Sequence, residues 1–216
     1  MRGPFAGMSH ERRLKARGFR LIAGVDEVGR GSLAGPVVAG AVILDSARPV
    51  SGLRDSKLLT AAQREVLGRR ILERALAVGI GEAEADEIDA INILRATHAA
   101  MRRALDALRT APDFVLVDAL TIPGVERPQE GLVHGDRLSA SIAAASIVAK
   151  VHRDALMQRC HQRWPRYRFD ANKGYGTPDH LGALRRHGAS PIHRTTFRGV
   201  MRGPRTREAA PADWSR

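Results

Sequence analysis

One cysteine, Cys160, stands in the whole 216-residue chain. No intramolecular disulfide framework can form, and this usage fits a reducing compartment. Set in a helical pattern among polar residues, Cys160 reads as an inert helix residue. Long apolar runs are also missing: none approaches the roughly 18 residues needed to span a bilayer. The N-terminus is basic and contains glycine, but no apolar stretch follows it, so neither a signal peptide nor a membrane partner is expected and a cytoplasmic location is. No internal repeat is present. Lysine is scarce, with only Lys15, Lys57, Lys150 and Lys173 among 35 basic residues. Where arginine is the default cation, a retained lysine marks a place suited to a compact ammonium.

The net charge is +12 and the isoelectric point about 11.2. That balance favours a polyanionic partner, nucleic acid before membrane. Arginine richness also follows from a GC-rich genome, so charge alone does not name the partner. A hydrophobic share of 44% over this length supports one substantial core with a helical appendage.

Taken in order, residues 1–18 are basic and without period, and are expected to form a mobile arm. Residues 19–28 read as a first strand and 36–44 as a second, antiparallel to it across a short glycine-rich link. Thr60-Ala61-Ala62-Gln63 is a capping box opening a helix that Gly79 is expected to end. A short third strand over 80–85 and a second helix over 91–108 follow, the helix carrying Leu94, His98, Met101, Leu105 and Leu108 on one face. Residues 114–117 read as a fourth strand ending in Asp118, and 131–134 as a fifth ending near Asp136. Ser139 can cap a long helix to about Trp164 whose first turns are rich in small residues. A polar loop over 166–177 leads to a last helix with Pro178 at its first position and Gly188 at its close. From 203 the chain is unpatterned and is expected to be disordered. The order gives an α/β domain over 19–202 with a helical C-terminal part from about 139.

Chemistry gathers at the strand ends. Asp26-Glu27, Asp118 and Asp136 each follow an apolar strand-like run. If those strands are neighbours, four carboxylates meet at one sheet edge, and such a cluster cannot stay fully ionised without cations. Oxygen donors with few histidines point to magnesium or manganese. With a polyanionic substrate, this suggests two-metal phosphodiester hydrolysis. Adjacent Asp26 and Glu27 face opposite sides of a regular strand, so sharing one site requires the strand to end or bulge there. A nucleic-acid-binding protein without catalysis is the competing class. Clustered carboxylates repel phosphate in the absence of metal, which counts against it.

The stretch from Gly24 to Gly31 (Gly-Val-Asp-Glu-Val-Gly-Arg-Gly) followed by Leu33-Ala34-Gly35-Pro36-Val37-Val38 resembles the signature of bacterial ribonuclease HII. The resemblance continues through Asp55-Ser56-Lys57-Leu58, Asn92-Ile93-Leu94, Val117-Asp118, Gly135-Asp136, the run from Ser141 to Asp154, and Lys173-Gly174-Tyr175-Gly176-Thr177. It implies a ribonuclease H-like fold, with a five-stranded mixed sheet flanked by helices and a helical C-terminal extension. It implies a monomeric endonuclease cutting the RNA strand of RNA–DNA hybrids and ribonucleotide-containing duplex DNA, with roles in replication and ribonucleotide excision repair. By that match Asp26, Glu27, Asp118 and Asp136 are catalytic acids binding Mn2+ or Mg2+, two ions with substrate bound. Gly29, Arg30 and Gly31 match a loop that contacts the 2′-hydroxyl, and Tyr175 a tyrosine that packs on the junction sugar. Lys57, Lys150, Lys173 and Ser146 are expected near phosphates. For Lys150 an exposed helix position, for Ser146 a packing role and for Arg30 a salt bridge to a neighbouring acid are the competing readings.

The sequence departs from the family pattern twice. Ala119 follows Asp118 where glycine is frequent, so no positive φ is expected there. His134 stands where lysine is frequent, which would make charge near Asp136 pH-dependent.

Overall fold

The computed structural model describes residues 5–200, so the expected tail over 203–216 lies outside the described residues. Strands β1 (Ile22–Val28), β2 (Val37–Ile43), β3 (Ala77–Ala83), β4 (Phe114–Asp118) and β5 (Gln129–Leu132) form one mixed sheet in the order β3-β2-β1-β4-β5. The first three pair antiparallel, while β4 and β5 run parallel to β1. The helices are α1 (Ser9–Ala16), α2 (Ala61–Arg74), α3 (Ala85–Ile91), α4 (Ile93–Asp106), α5 (Gly135–Leu138), α6 (Ala140–Arg163), α7 (Phe169–Asn172) and α8 (Pro178–His187). Among the described residues, no helix is long and apolar enough to cross a membrane.

Helix α6 lies flat on β1 and β2 because glycines face it. A Cβ on Gly24 would stand 2.1 Å from the Ser141 carbonyl carbon, and one on Gly40 2.6 Å from the Ala145 oxygen. The small residues Ala143, Ala144 and Ala145 complete that contact, all fully buried. Ser139 caps the helix, accepting from the Ile142 N–H at 3.3 Å. The opposite sheet face packs on α4 through Ala100, Met101, Ala104 and Leu105. Beyond α6, Trp164, Tyr167 and Phe169 gather Leu33, Ala34, Leu184 and Ile192 into a second core that joins the C-terminal helices to the β1–β2 link. Cys160 belongs to this core, and burial pushes its thiol up to about 12, so it is unreactive.

The expected mobile arm is corrected from Ala6 onward, where the Ala6 N–H donates to Leu53 O and Gly7 O accepts from the Ala140 N–H, both at 2.9 Å. Helix α1 is docked, with Leu14 fully buried and Glu11 nearly so. Its hold comes from Glu11 and from a two-pronged Arg13–Glu130 ion pair at 2.6–2.7 Å, contacts far away in sequence. Helix α2 stops at Arg74, not at Gly79; Gly79 and Gly81 lie inside β3, where they admit the backbone of α4. The expected helix over 91–108 is α4, starting at Ile93, and a separate short helix, α3, precedes it where none was expected. Asn92 at φ 69° divides them and caps α4 through its Oδ1, which accepts from Leu94 and Arg95. Leu94 is consequently exposed instead of lying on the buried face.

Candidate active site

Alternation along β1 assigns its side chains to faces. Ala23 and Val25 pack toward α4, whereas Gly24 lies against α6. Asp26 therefore shares the α6 side and Glu27 the α4 side. Val25 sits opposite Val117 in the parallel β1–β4 pair, so Asp26 and Asp118 are the next residues along adjacent strands. Leu116, two residues before Asp118, packs with Ile142 of α6, which puts Asp118 on the same side as Asp26.

Two expectations need correcting. Strand β1 neither ends nor bulges at Glu27, because its pairing with β2 runs on regularly through Glu27↔Ala39 and Val28↔Val38. Glu27 thus approaches the site from the opposite face. Asp136 is not at a strand end: β5 stops at Leu132, and Asp136 lies in the first turn of α5. A hydrogen bond brings α5 in, the Gly135 N–H donating to Asp118 Oδ1 at 2.7 Å.

These acids perturb one another. Burial pushes Asp26 well above the usual carboxylate range, and the charges of Glu27 and Asp118 add to it. The Ser146 hydroxyl and the Glu27 N–H, donating at 2.7 Å, oppose that rise. Burial also raises Glu27, against the nearby Arg30 and with the charge of Asp118. Asp136 is raised by burial, then by Asp55 and Asp118, with Lys57 acting the other way. The side chains remain spread: among the described residues no three Asp, Glu, His or Cys groups already surround one point as they would an ion. Like charges repel, and a cation between them removes the reason for spreading. The donor set fits a hard divalent ion. It is all oxygen, and the buried Asp26 carboxylate has hydrogen-bond donors but no cationic side chain paired with it among the described residues.

The other expected residues fall around this cluster. Arg30 is exposed and pairs with Glu27 at 3.2 Å, the salt-bridge reading. Tyr175 is 38% exposed beside the Gly29–Gly31 loop region, tied there by Leu33 N–H donating to Gly174 O at 2.8 Å. Lys57 is exposed near Asp136. Ser146 is buried; its hydroxyl meets that of Ser56 at 2.9 Å and supports Asp26. Successive turns of α6 then carry Lys150 and Asp154, an ion pair at 2.5 Å. Asp154 also meets Arg64 at 3.5 Å. Lys173, its pKa lowered by burial, lines a cleft with Arg64, Asp154 and Arg159. The acids and this basic cleft are joined along one face of α6.

Sequence reasoning passed over Asp55 and Arg137 as site residues. Asp55 is buried, accepts from the Lys57 N–H at 2.9 Å, and takes Arg137 Nε and Nη2 at 3.3 Å each. It thereby fixes the Lys57 turn beside Asp136. The matching motif Asp55-Ser56-Lys57-Leu58 was the available signal.

Ala119 is the third correction. Its φ is 65°, so the left-handed conformation is kept without glycine. The chain must turn here because the Ala119 N–H still donates to Leu132 O at 2.8 Å while Leu120 turns back to Asp118 O at 2.9 Å. A left-handed L-residue costs roughly 1–2 kcal/mol. Ala119→Gly is expected to raise stability by about 1 kcal/mol, read as a higher urea midpoint at unchanged m. A lower midpoint would show that no strain is stored there. His134, also left-handed at φ 57°, is exposed and precedes α5.

Carboxylates brought to the end of such a sheet, continuous with a basic cleft, define a nuclease of the ribonuclease H fold. A family model described as Ribonuclease HII matches residues 23–200. The ribonuclease HII of Desulfitobacterium hafniense is 53% identical over 194 residues, covering 90% of this chain and 75% of that protein. The ribonuclease HII of Acidovorax sp. (strain JS42) is 56% identical over 182 residues, 84% of this chain and 87% of the relative. Among solved structures, the crystal structure of the ribonuclease H2 from Pyrococcus horikoshii OT3 superposes with a TM-score of 0.71 at 27% identity, covering 84% of this chain and 95% of that one. The chain belongs to the ribonuclease HII family, and with it to the metal-dependent endoribonucleases.

Proposed function

We propose that the chain cleaves the RNA strand of RNA–DNA hybrids and nicks duplex DNA on the 5′ side of embedded ribonucleotides. The products carry 3′-hydroxyl and 5′-phosphate ends. The observation that carries this reading is the placement of Asp26 and Asp118 side by side on one face, with Asp136 brought in by the Gly135 hydrogen bond of α5, next to the exposed Arg30 and Gly31 and to Tyr175.

Asp26, Asp118 and Asp136 would hold divalent ions, manganese or magnesium, with Glu27 contributing from the other face. With substrate bound, the chemistry such a pair of ions would supply is a more acidic water and an offset to charge on the leaving 3′-oxygen. The protein's own part is geometry. Ser146 and the Glu27 N–H orient Asp26, and the Gly135 N–H orients Asp118. The Arg30–Glu27 ion pair restrains both the loop and the acid. The exposed N–H groups of Arg30 and Gly31 would meet the 2′-hydroxyl, the group that tells RNA from DNA. Tyr175 would pack on the sugar beside the cut. Lys57, Lys150 and Lys173 would lie along phosphates, the last two lining the path that runs down α6.

The test is a duplex DNA containing one ribonucleotide, incubated with and without manganese. A nick 5′ to that nucleotide, seen only with the metal, is expected; its absence refutes the reading. Tyr175→Ala should lower cleavage at the lone ribonucleotide by about tenfold, since losing an aromatic contact to a nucleotide costs about 1–3 kcal/mol. Unchanged cleavage would remove Tyr175 from the substrate contact.

A further inference from the structure

Two arginines, Arg153 and Arg194, are fully buried. A buried guanidinium is costly unless hydrogen bonds replace its water. Both donate to backbone carbonyls instead of to a carboxylate. Arg153 gives Nε to Pro36 O at 2.9 Å, Nη2 to Ala34 O at 3.1 Å and Nη1 to Lys173 O at 2.8 Å. Arg194 gives Nε and Nη2 to Gly35 O at 3.0 and 2.8 Å, and Nη1 to Arg30 O at 2.9 Å.

The backbone of the same segment is pinned as well. The Arg194 N–H donates to Leu33 O at 2.8 Å, the Gly35 N–H to Ile192 O at 2.8 Å and the Ser32 N–H to Gly29 O at 3.3 Å. The loop's carbonyls are thus drawn inward at Gly29, Arg30, Leu33, Ala34, Gly35 and Pro36. By contrast, the N–H groups of Arg30 and Gly31 have no acceptor among the described residues, and both residues are exposed.

Arg153 also reaches the second element of the proposed reader. Its guanidinium carbon lies 5.8 Å from the centre of the Tyr175 ring, and its bond to Lys173 O holds the turn that carries that tyrosine. Gly29, at φ 91°, makes room for it: a Cβ there would stand 2.2 Å from Arg153 Nε. One side chain therefore fixes the spacing between the loop and Tyr175.

We infer that Arg153 and Arg194 are positioning residues for ribonucleotide recognition, holding the loop and Tyr175 in one frame with the Arg30 and Gly31 N–H groups left free for the 2′-hydroxyl. This rests on the reading that loop and tyrosine meet the substrate. Lysine keeps the charge but not the fork that spans two or three carbonyls. Arg153→Lys and Arg194→Lys therefore loosen the frame without removing the cation.

The experiment measures binding in an Asp26→Asn protein, where cleavage does not interfere. Two labelled duplexes are compared, one with a single ribonucleotide and one all DNA, with melting curves for each variant. Each lysine variant is expected to weaken the ribonucleotide duplex about tenfold, the weight of one hydrogen bond to a charged group, and the all-DNA duplex by less than about twofold. An intact preference, or equal weakening of both duplexes, overturns the inference. If the parent protein itself shows no preference, the underlying reading of loop and tyrosine fails instead. Should a lysine variant melt below the assay temperature, the Asp26→Asn parent supplies the measurement. Exchange of the Arg194 Nε–H is expected to slow on adding the ribonucleotide duplex and not the all-DNA duplex. Identical exchange in both overturns the inference.

Discussion

Asp26→Asn is expected to lose metal-dependent cleavage by about a thousandfold or more, because a metal centre supplies several kcal/mol at the transition state. The same substitution should make the metal-free protein more stable. Asp26 is buried, bears the charges of Glu27 and Asp118, and carries no cationic partner among the described residues. Its folded pKa lies above the unfolded value, so its contribution to stability is most favourable below about pH 3.9 and is lost as pH rises through the raised folded value. Asparagine cannot ionise and removes this share of the pH dependence. Thermal melts of the metal-free proteins from acid to neutral pH measure it. Manganese should then raise the melting point of the native protein much more than that of the variant, since a ligand at a hundred times its Kd adds about 2.7 kcal/mol. Retained cleavage, or equal stabilisation by manganese, would refute the assignment of Asp26 as a ligand.

Glu11→Ala is expected to destabilise the fold by about 3–5 kcal/mol, since each buried donor left without an acceptor costs about 1–3 kcal/mol. Glu11 Oε1 accepts from Ser139 Oγ at 2.6 Å, from the Ser141 N–H at 2.9 Å and from Ser141 Oγ at 2.8 Å. All three donors are buried at the start of α6, where a negative charge also complements the helix dipole. Alanine strands the Ser141 N–H and one of the two hydroxyls, since Ser139 Oγ and Ser141 Oγ lie 3.0 Å apart and only one can donate to the other. Urea unfolding should show a much lower midpoint at unchanged m, with Glu11→Gln falling between. An unchanged midpoint would mean that α1 contributes nothing to the domain.

What was legible in the sequence was local. The Thr60 capping box, the Ser139 cap, the apolar runs of β1, β2 and β4 and the Pro178–Gly188 bounds of the last helix all declare themselves within a few residues. The acids could be read because charge at the end of an apolar run is itself anomalous. The ordered motifs made the family legible as well. Helix α1 was not, since its anchors Glu11 and Arg13 act across more than a hundred residues. Gly79 read as a helix stop because glycine has two uses, ending a helix and admitting a neighbour's backbone, and only tertiary packing separates them. Burial of Arg153 and Arg194 was equally hidden, for nothing in a run of arginines marks the two that lie inside. The face occupied by Glu27 depended on whether β1 stayed regular, which only its pairing with β2 decides.

The parallel pairing of β1 with β4 has a consequence for the order of events during synthesis. The meander β1-β2-β3 is made of neighbours in sequence and can close early, whereas parallel pairing must wait for chain far downstream. No nascent fragment that stops short of β4 contains both Asp26 and Asp118, and none that stops short of α6 contains the helix that backs them. The topology therefore delays assembly of the proposed metal site until most of the polypeptide has been made.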